Sequence, residues 1–297
     1  MSKYLPTDIN LPSTYKKQEH PYIPFNRQCE LCGLGERIQR HNKEQEEEQE
    51  EEQEKKQEKY SYKNGRKGNK EKPKFYSVSG VGPDNLENIK LIVLSDFPGY
   101  YESSEDNLFN MVDIHQNQNY HKKSLVVKRN AGSFLRMSLN LMFGLDTYTD
   151  CWITNAIKCN PLEETVKESS HLKICNRKWL ANEFSILEEY CPTVPILVAG
   201  TLAFKSLSNI FPHSKQLLDS YGFNSSRRRS NLIINSHGIV VTHNPARIAR
   251  SEPRIETSTS YSKGKLTVTS NDWLYPPLPG SPVDLFIKDL QFLSYWL

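Results

Sequence analysis

The sequence predicts an α/β domain with a mostly parallel sheet of four strands covered by helices on both faces. Three observations carry this prediction. Four short runs, residues 90–95 (KLIVLS), 151–157 (CWITNAI), 195–200 (PILVAG) and 238–242 (GIVVT), are rich in apolar residues, as strands buried on both faces are. Stretches with apolar residues at helical spacing stand between them, at 131–144, 176–190 and 201–210, and strands alternating with helices imply a mostly parallel sheet. Each run also ends in polar, Gly or Pro residues, which gathers the junctions at one rim, where ligands of open α/β sheets bind.

In chain order, residues 1–28 contain Pro, Tyr and Lys without periodicity and form an extension. Residues 29–42 form a cysteine loop, with Cys29 and Cys32 in a C-x-x-C, followed by one or two helical turns carrying Arg37 and Arg40. Residues 43–74 are a low-complexity insert, a Glu/Gln block followed by a Lys/Gly/Asn block. Its acidic and basic residues balance, so the net charge of +3 resides outside it. Its first half suits a solvated helix with Glu to Lys support and its second half is flexible, so neither contributes a core. Residues 75–297 are the globular domain. The run at 90–95 empties into Asp96, Phe97, Pro98 and Gly99, with Glu102 just beyond, a turn that exposes backbone N–H groups at the end of the sheet. The run at 151–157 places Asn155 where its strand ends. A polar, Pro-containing loop of fifteen residues then separates Cys159 from Cys175. The run at 238–242 ends in His243, Asn244 and Pro245. Arg227, Arg228 and Arg229, with Lys205 and Lys215, suit either phosphate contact or a solvated loop. Residues 257–270 read as an exposed loop or hairpin. The final FIKDLQFLSYWL reads as a packing helix, and Trp273 and Tyr275 belong to the same apolar-rich end.

With 297 residues, of which 37% are hydrophobic, and a polar N-terminal third, the chain suits one sizeable core. It contains neither an apolar run of about eighteen residues nor a charged-then-apolar leader, so an intracellular, cytoplasmic protein without a membrane contact is expected. Six cysteines in a long chain without a leader argue for metal ligation over disulfides. Cys29, Cys32, Cys159 and Cys175 form a C-x2-C and C-x15-C set that suits zinc or a [4Fe-4S] cluster, and spacing alone does not choose between them. Cys151 and Cys191 are expected as small buried apolar residues.

Read in order, Cys29 and Cys32, residues 95–99 with Glu102, Ala131-Gly132, Thr154-Asn155 with Lys158-Cys159-Asn160-Pro161, Cys175, residues 198–203 and Asn244-Pro245-Ala246 resemble the uracil-DNA glycosylase superfamily, nearest to its iron–sulfur family 4. The similarity runs from Cys29 to about Ala249, interrupted by the insert and by a second insertion near residues 103–125. The resemblance implies a three-layer α/β/α domain with a four-stranded parallel central sheet, hydrolysis of a base–sugar bond in DNA, and a structural [4Fe-4S] cluster in preference to zinc on Cys29, Cys32, Cys159 and Cys175. It implies that Asn155 hydrogen-bonds the edge of a flipped base while backbone amides around Phe97 and Gly99 bind a base oxygen. Asp96 or Glu102 orients the water or stabilises the sugar cation, and Arg247 and Arg250 grip DNA. The expected partner is DNA, engaged by a monomer.

The departures from the pattern are informative. Asn244 aligns with the family's His, with His243 one residue away. Val127 stands where the family has a Phe that stacks on uracil, Asp96 replaces Glu, and Phe97 replaces a small residue. A missing stacking ring beside an insertion suggests a rebuilt, wider pocket. A modified or bulky base is therefore expected rather than plain uracil, in DNA repair or in defence against modified viral DNA. The alternative is a DNA-binding protein that has kept the fold without the chemistry. An unrelated zinc-stabilised α/β scaffold would explain the cysteines but not the ordered motifs.

Overall fold

Strands of four to six residues with every position, or all but the last, buried need a sheet covered on both faces, and the chain builds one. The computed structural model describes residues 9–10, 22–23, 25, 29, 31–59, 76–98, 113–115, 125–128, 135, 138–140, 142–147, 149–161, 168–221, 232–245, 258–262, 265–268 and 279–297. The strands are β1 (Ile9–Asn10), β2 (Leu91–Ser95), β3 (Asp113–His115), β4 (Leu125–Lys128), β5 (Cys151–Asn155), β6 (Ile196–Ala199), β7 (Leu232–Ile234), β8 (His237–Thr242), β9 (Ser258–Ser262) and β10 (Lys265–Val268). The main helices are α1 (Gly33–Lys59), α2 (Ala181–Tyr190), α3 (Thr201–Ile210), α4 (Lys215–Tyr221) and α5 (Pro282–Gln291).

The central sheet has the order β5-β2-β6-β8-β7. The first four strands are parallel, as the sequence predicts. The difference is a fifth strand, β7, which pairs antiparallel with β8 through a tight turn at Asn235 and Ser236, both with positive φ. Alternation sorts the side chains into two cores. Ile92, Leu94, Trp152, Ile196, Val198, Ile239 and Val241 pack with Leu34 and Ile38 of α1, Phe184 and Leu187 of α2, and Leu202, Phe204 and Leu207 of α3. Leu91, Val93, Ile153, Leu197 and Val240 pack with Leu135, Leu139 and the α5 residues Phe286 and Leu290. The α5 helix starts with Ser281, whose hydroxyl accepts from the Asp284 N–H at 3.2 Å, and with Pro282, whose missing N–H costs nothing there.

Two expectations are corrected. The helical turns after Cys32 and the acidic block are one helix of 27 residues, not a cysteine loop followed by a separate insert. Glu, Gln and Lys are strong helix formers, and Lys43 pairs with Glu47 at 3.8 Å one turn on. Gln45 is buried, so this part of the insert is packed rather than wholly solvated. The helix predicted from Asn176 starts earlier, with turns of π-helix at Glu168–Leu172 and Asn176–Leu180 flanking Lys173–Cys175. The expected stop at residue 144 is present, Gly144 taking φ +68° where other residues are strained.

A second sheet, in the order β1-β10-β9-β4-β3, is antiparallel throughout. The β9–β10 pair is the hairpin expected at 257–270. The strands β3 and β4 come from the insertion region, and Val127 lies opposite Ile114 in their pairing. Sequence reasoning missed these two strands because each is only three or four residues long.

Candidate functional site

The register of the central sheet aligns four strand ends. Asn155 lies beside Ser95, Ser95 beside Ala199, and Ala199 beside Thr242. The residues that follow, Asp96, Gly200 and His243, therefore leave the sheet along one rim. Strand β2 is where the strand order reverses, since the chain adds β5 on one side of it and β6 on the other, and ligands of such sheets bind at that crevice.

Asp96 emerges at that point. Its Oδ1 accepts from the Ala203 N–H at 2.9 Å, and its Oδ2 accepts from Asn244 Nδ2 at 3.2 Å. Helix α3 has no cap of its own because residue 200 is a glycine, and the carboxylate supplies the missing acceptor at the positive end of the helix. A Cβ on Gly200 would come within 2.3 Å of the Asp96 oxygens, and φ of +129° strains any other residue. The glycine is thus required by the close approach of the carboxylate. At the end of β8, the Thr242 hydroxyl donates to buried Asp289 of α5 at 3.0 Å, while His243 and Asn244 stay half-buried at the rim.

Asn155 is 1% exposed, and its Nδ2 has no hydrogen-bond partner among the described residues. A buried donor without an acceptor costs roughly 1–3 kcal/mol, so its retention at a strand end points to a ligand acceptor. The other buried atoms without a hydrogen bond among the described residues lie elsewhere: His237 Nε2, 3.9 Å from Glu188 Oε1 at the opposite end of β8, Trp296 Nε1 near the C-terminus, and both amide atoms of Asn176 in the helical turn after Cys175.

Behind Asn155 lies a satisfied polar core. The Lys158 ammonium, 1% exposed, donates to Glu183 Oε2 and to Thr154 Oγ1. The Trp152 indole donates to Glu183 Oε1 at 2.7 Å. Gly80 runs so close that a Cβ would lie 2.0 Å from that oxygen. One residue past Cys159, Asn160 Nδ2 donates to the Pro98 carbonyl at 2.8 Å and ties the loop after β5 to the loop after β2.

Cys29, Cys32, Cys159 and Cys175 are all buried. Burial raises the pKa of Cys159, against a hydrogen bond with Ser77 Oγ at 3.1 Å, and pushes Cys175 up to about 12, against the Lys158 N–H at 3.2 Å. Cys32 and Cys29 stand close enough to both to raise them further, which places the four sulfurs in one neighbourhood. The Trp179 indole donates to Cys29 Sγ at 3.3 Å. The four thiols do not form a closed ligand cage; among the described residues no three His, Cys, Asp or Glu side chains stand at metal-ligand spacing. Buried sulfurs with N–H donors aimed at two of them, Cys175 and Cys29, nevertheless have the donor chemistry of thiolate ligands. Cys151 and Cys191 are buried, Cys151 in β5 and Cys191 with its thiol donating to the Leu187 carbonyl at 3.0 Å.

The fold thus brings together Asp96, Asn155, His243 and Asn244 on one rim, with Phe97 37% exposed beside them. Gly99, Glu102, Arg247 and Arg250 lie outside the described residues, as do Arg227, Arg228, Arg229, Trp273 and Tyr275. Sequence reasoning named Asn160 only as part of the motif at residues 158–161, and it missed Glu183, Asp289, Ser77 and Trp179. Glu183 and Asp289 carry a signal, acidic residues on the apolar face of a helix; the others carry none. No helix among the described residues is long and apolar enough to cross a membrane. No curated relative matches the chain. A family model described as the uracil DNA glycosylase superfamily matches residues 83–263, which holds the whole rim together with Cys159 and Cys175 and leaves Cys29 and Cys32 outside.

Proposed function

The chain belongs to the uracil DNA glycosylase superfamily, and from that premise we propose that it is a DNA glycosylase that flips a base from DNA and hydrolyses its N-glycosidic bond, leaving an abasic site. The observation that carries the reading is the buried Asn155 Nδ2 at the sheet rim, which has no acceptor among the described residues. A flipped base costs roughly a few kcal/mol to unstack, and a fixed donor and acceptor inside a pocket offset that cost. As the bond breaks, charge develops on the leaving base, and donors already in place stabilise it without reorganising. Asn155 and the backbone amides of Phe97 and Gly99 serve the base edge. Asn244, with His243 one residue away, stands as the donor that faces the leaving base. Asp96 and Glu102 serve the sugar side, where a carboxylate stabilises the cation and orients water. Arg247 and Arg250 contact phosphates.

The enzyme is of the iron–sulfur type in this reading. Cys29, Cys32, Cys159 and Cys175 hold a [4Fe-4S] cluster, zinc being the alternative, and the group clamps the N-terminal segment to the loop after β5. Cys159→Ser and Cys175→Ser should each abolish the visible absorption of the anaerobically purified protein. Full iron and sulfide in either variant would sink the assignment.

The base is modified or bulky, because Val127 takes the place of the stacking Phe and Asn244 that of the His. Stacking on a ring is worth roughly 1–3 kcal/mol per base, and without it plain uracil loses its main non-polar grip. The reaction then belongs to repair or to defence against modified viral DNA. The test incubates the protein with single- and double-stranded oligonucleotides carrying uracil or a series of modified bases, followed by alkali to cut abasic sites. Cleavage at a modified base faster than at uracil is expected, and removal of uracil at least as fast as of every other base overturns the wider-pocket reading.

A second reading, a DNA-binding protein without chemistry, is favoured by one observation: both Asp96 oxygens are already engaged, by Ala203 and Asn244. DNA binding without release of any base would select it.

A further inference from the structure

Three of the four site cysteines are fixed by the backbone around them. Cys32 directly precedes α1, and its carbonyl accepts from the Gly35 and Glu36 N–H groups at 2.9 and 3.2 Å. Cys159 follows Lys158, whose carbonyl accepts from the Val78 N–H at 2.6 Å, and Cys175 lies in the helical turn Lys173–Cys175. Cys29 belongs to no helix or strand, yet it is 6% exposed. Trp179 reaches it from 150 positions along the chain, its indole N–H donating to Cys29 Sγ at 3.3 Å. Trp179 stands four residues after Cys175, so one helix face carries a cysteine and a donor to a second cysteine. The stretch Asn176–Leu180 is a π turn, a rare geometry that is frequent at functional sites. The indole ring is itself held, edge-on to Phe25 with centroids 5.0 Å apart, and with the Lys178 ammonium 5.6 Å from its centroid.

We propose that Trp179 is a positioning residue for the cysteine site: its indole N–H holds the Cys29 sulfur against the helix that carries Cys175, so that cysteines from distant parts of the chain stand together before a metal is bound. The consequence rests on the iron–sulfur reading above, zinc being its alternative, and the geometry on the hydrogen bond alone. A neutral thiol is a weak acceptor, and a cysteine must lose its proton to become a ligand. A hydrogen bond to an ionised acceptor is roughly twice as strong as one to a neutral acceptor. The indole contact therefore strengthens as Cys29 becomes a ligand, and it slows loss of the metal. A second N–H donor, from the Lys158 backbone to Cys175, survives a change of side chain, so Trp179 is the donor that a substitution isolates.

The test uses Trp179→Phe, which keeps a ring against Phe25 and removes the N–H, in full-length protein purified anaerobically in the same way as wild type. Trp179→Leu decides if that variant does not fold. Release of iron, or of zinc where the purified protein holds zinc, to excess EDTA is timed, and amide hydrogen exchange is measured in the β6 and β8 peptides. The expected result is release at least fivefold faster, with exchange in β6 and β8 within twofold of wild type. Release within twofold of wild type overturns the proposal, and so does faster release accompanied by faster exchange in β6 and β8, which marks a general loosening. Failure of both variants to fold makes the indole a part of the core and overturns it as well. If wild type neither carries nor takes up iron or zinc, the metal-centre reading fails by itself, and a double-mutant cycle of Trp179→Phe with Cys29→Ala then decides whether the indole holds Cys29. A rise of at least threefold in the unfolding constant that disappears in the Cys29→Ala background supports the contact, and equal rises in both backgrounds overturn it.

Discussion

Lys158 and Asn155 lie within one turn of the same segment, and each is 1% exposed. Both follow from one stretch of sequence, yet their surroundings differ. The Lys158 ammonium is held by Glu183 and Thr154, and the second Glu183 oxygen by Trp152, so the charge is neutralised and its acceptors shared. Asn155, at the end of β5, has a donor with nothing among the described residues to receive it. Burying polar groups is costly in both places, but in one the fold recovers the cost internally and in the other it is left for something bound. The difference separates a structural polar residue from a recognition residue where exposure and residue type do not.

The largest expected effect comes from turning the first kind of site into the second. Glu183→Ala leaves a buried ammonium without its carboxylate and should destabilise the protein by roughly 3–5 kcal/mol in a denaturant titration. The double variant Lys158→Met with Glu183→Leu should recover most of that loss, because an apolar pair carries no desolvation cost. A single variant as stable as wild type would mean that the pair contributes nothing.

Removing the orphan is the converse. Asn155→Ala should lower base release roughly 100- to 1,000-fold, the usual scale for losing a fixed donor to developing charge, while thermal stability stays level or rises. Duplex binding should be nearly intact. A marked loss of stability in this variant would show that the amide has a partner in the fold and would erase the contrast.

Asp96 is intermediate, both a cap for α3 and a member of the rim. Asp96→Ala should cost about 1–2 kcal/mol through uncapping, read as a lower Tm, and should also remove the Asp96 acceptor of the Asn244 amide. Unchanged stability would place Asp96 wholly on the recognition side.

The smallest effect belongs to a buried group that is kept neutral. Burial pushes Cys191 up to about 11 from an ordinary value near 9. The folded state therefore favours the protonated thiol: its contribution is complete below about pH 9 and is lost as the pH rises towards 11. Unfolding free energy measured from pH 8 to 11 should fall less steeply in Cys191→Ala than in wild type, and parallel curves would rule this thiol out as a source of the slope.

Strand periodicity and the four cysteines were legible because each follows from local rules. Apolar runs mark strands buried on both faces, and the helix at Thr201–Ile210 was bounded by its own spacing. Apart from the β9–β10 hairpin, the second sheet was not legible, because strands as short as β1 and β3 carry too few residues to show a period, and β1 exists only through a partner far away in the chain. The 27-residue helix was divided at Lys43 because its composition changes there, although helix propagation requires only that each residue tolerate the conformation.

The sequence by itself determined the parallel sheet, the order of the motifs, Asn155 at a strand end and four cysteines in two pairs, since these depend on residue type and spacing along the chain. Only the tertiary structure decided that Asp96 caps α3 and meets Asn244, that Glu183 neutralises Lys158, and that Asn160 reaches Pro98. Those pairs join residues from 25 to 148 positions apart, and a hydrogen bond acts over about 3 Å of space whatever the length of chain between its partners.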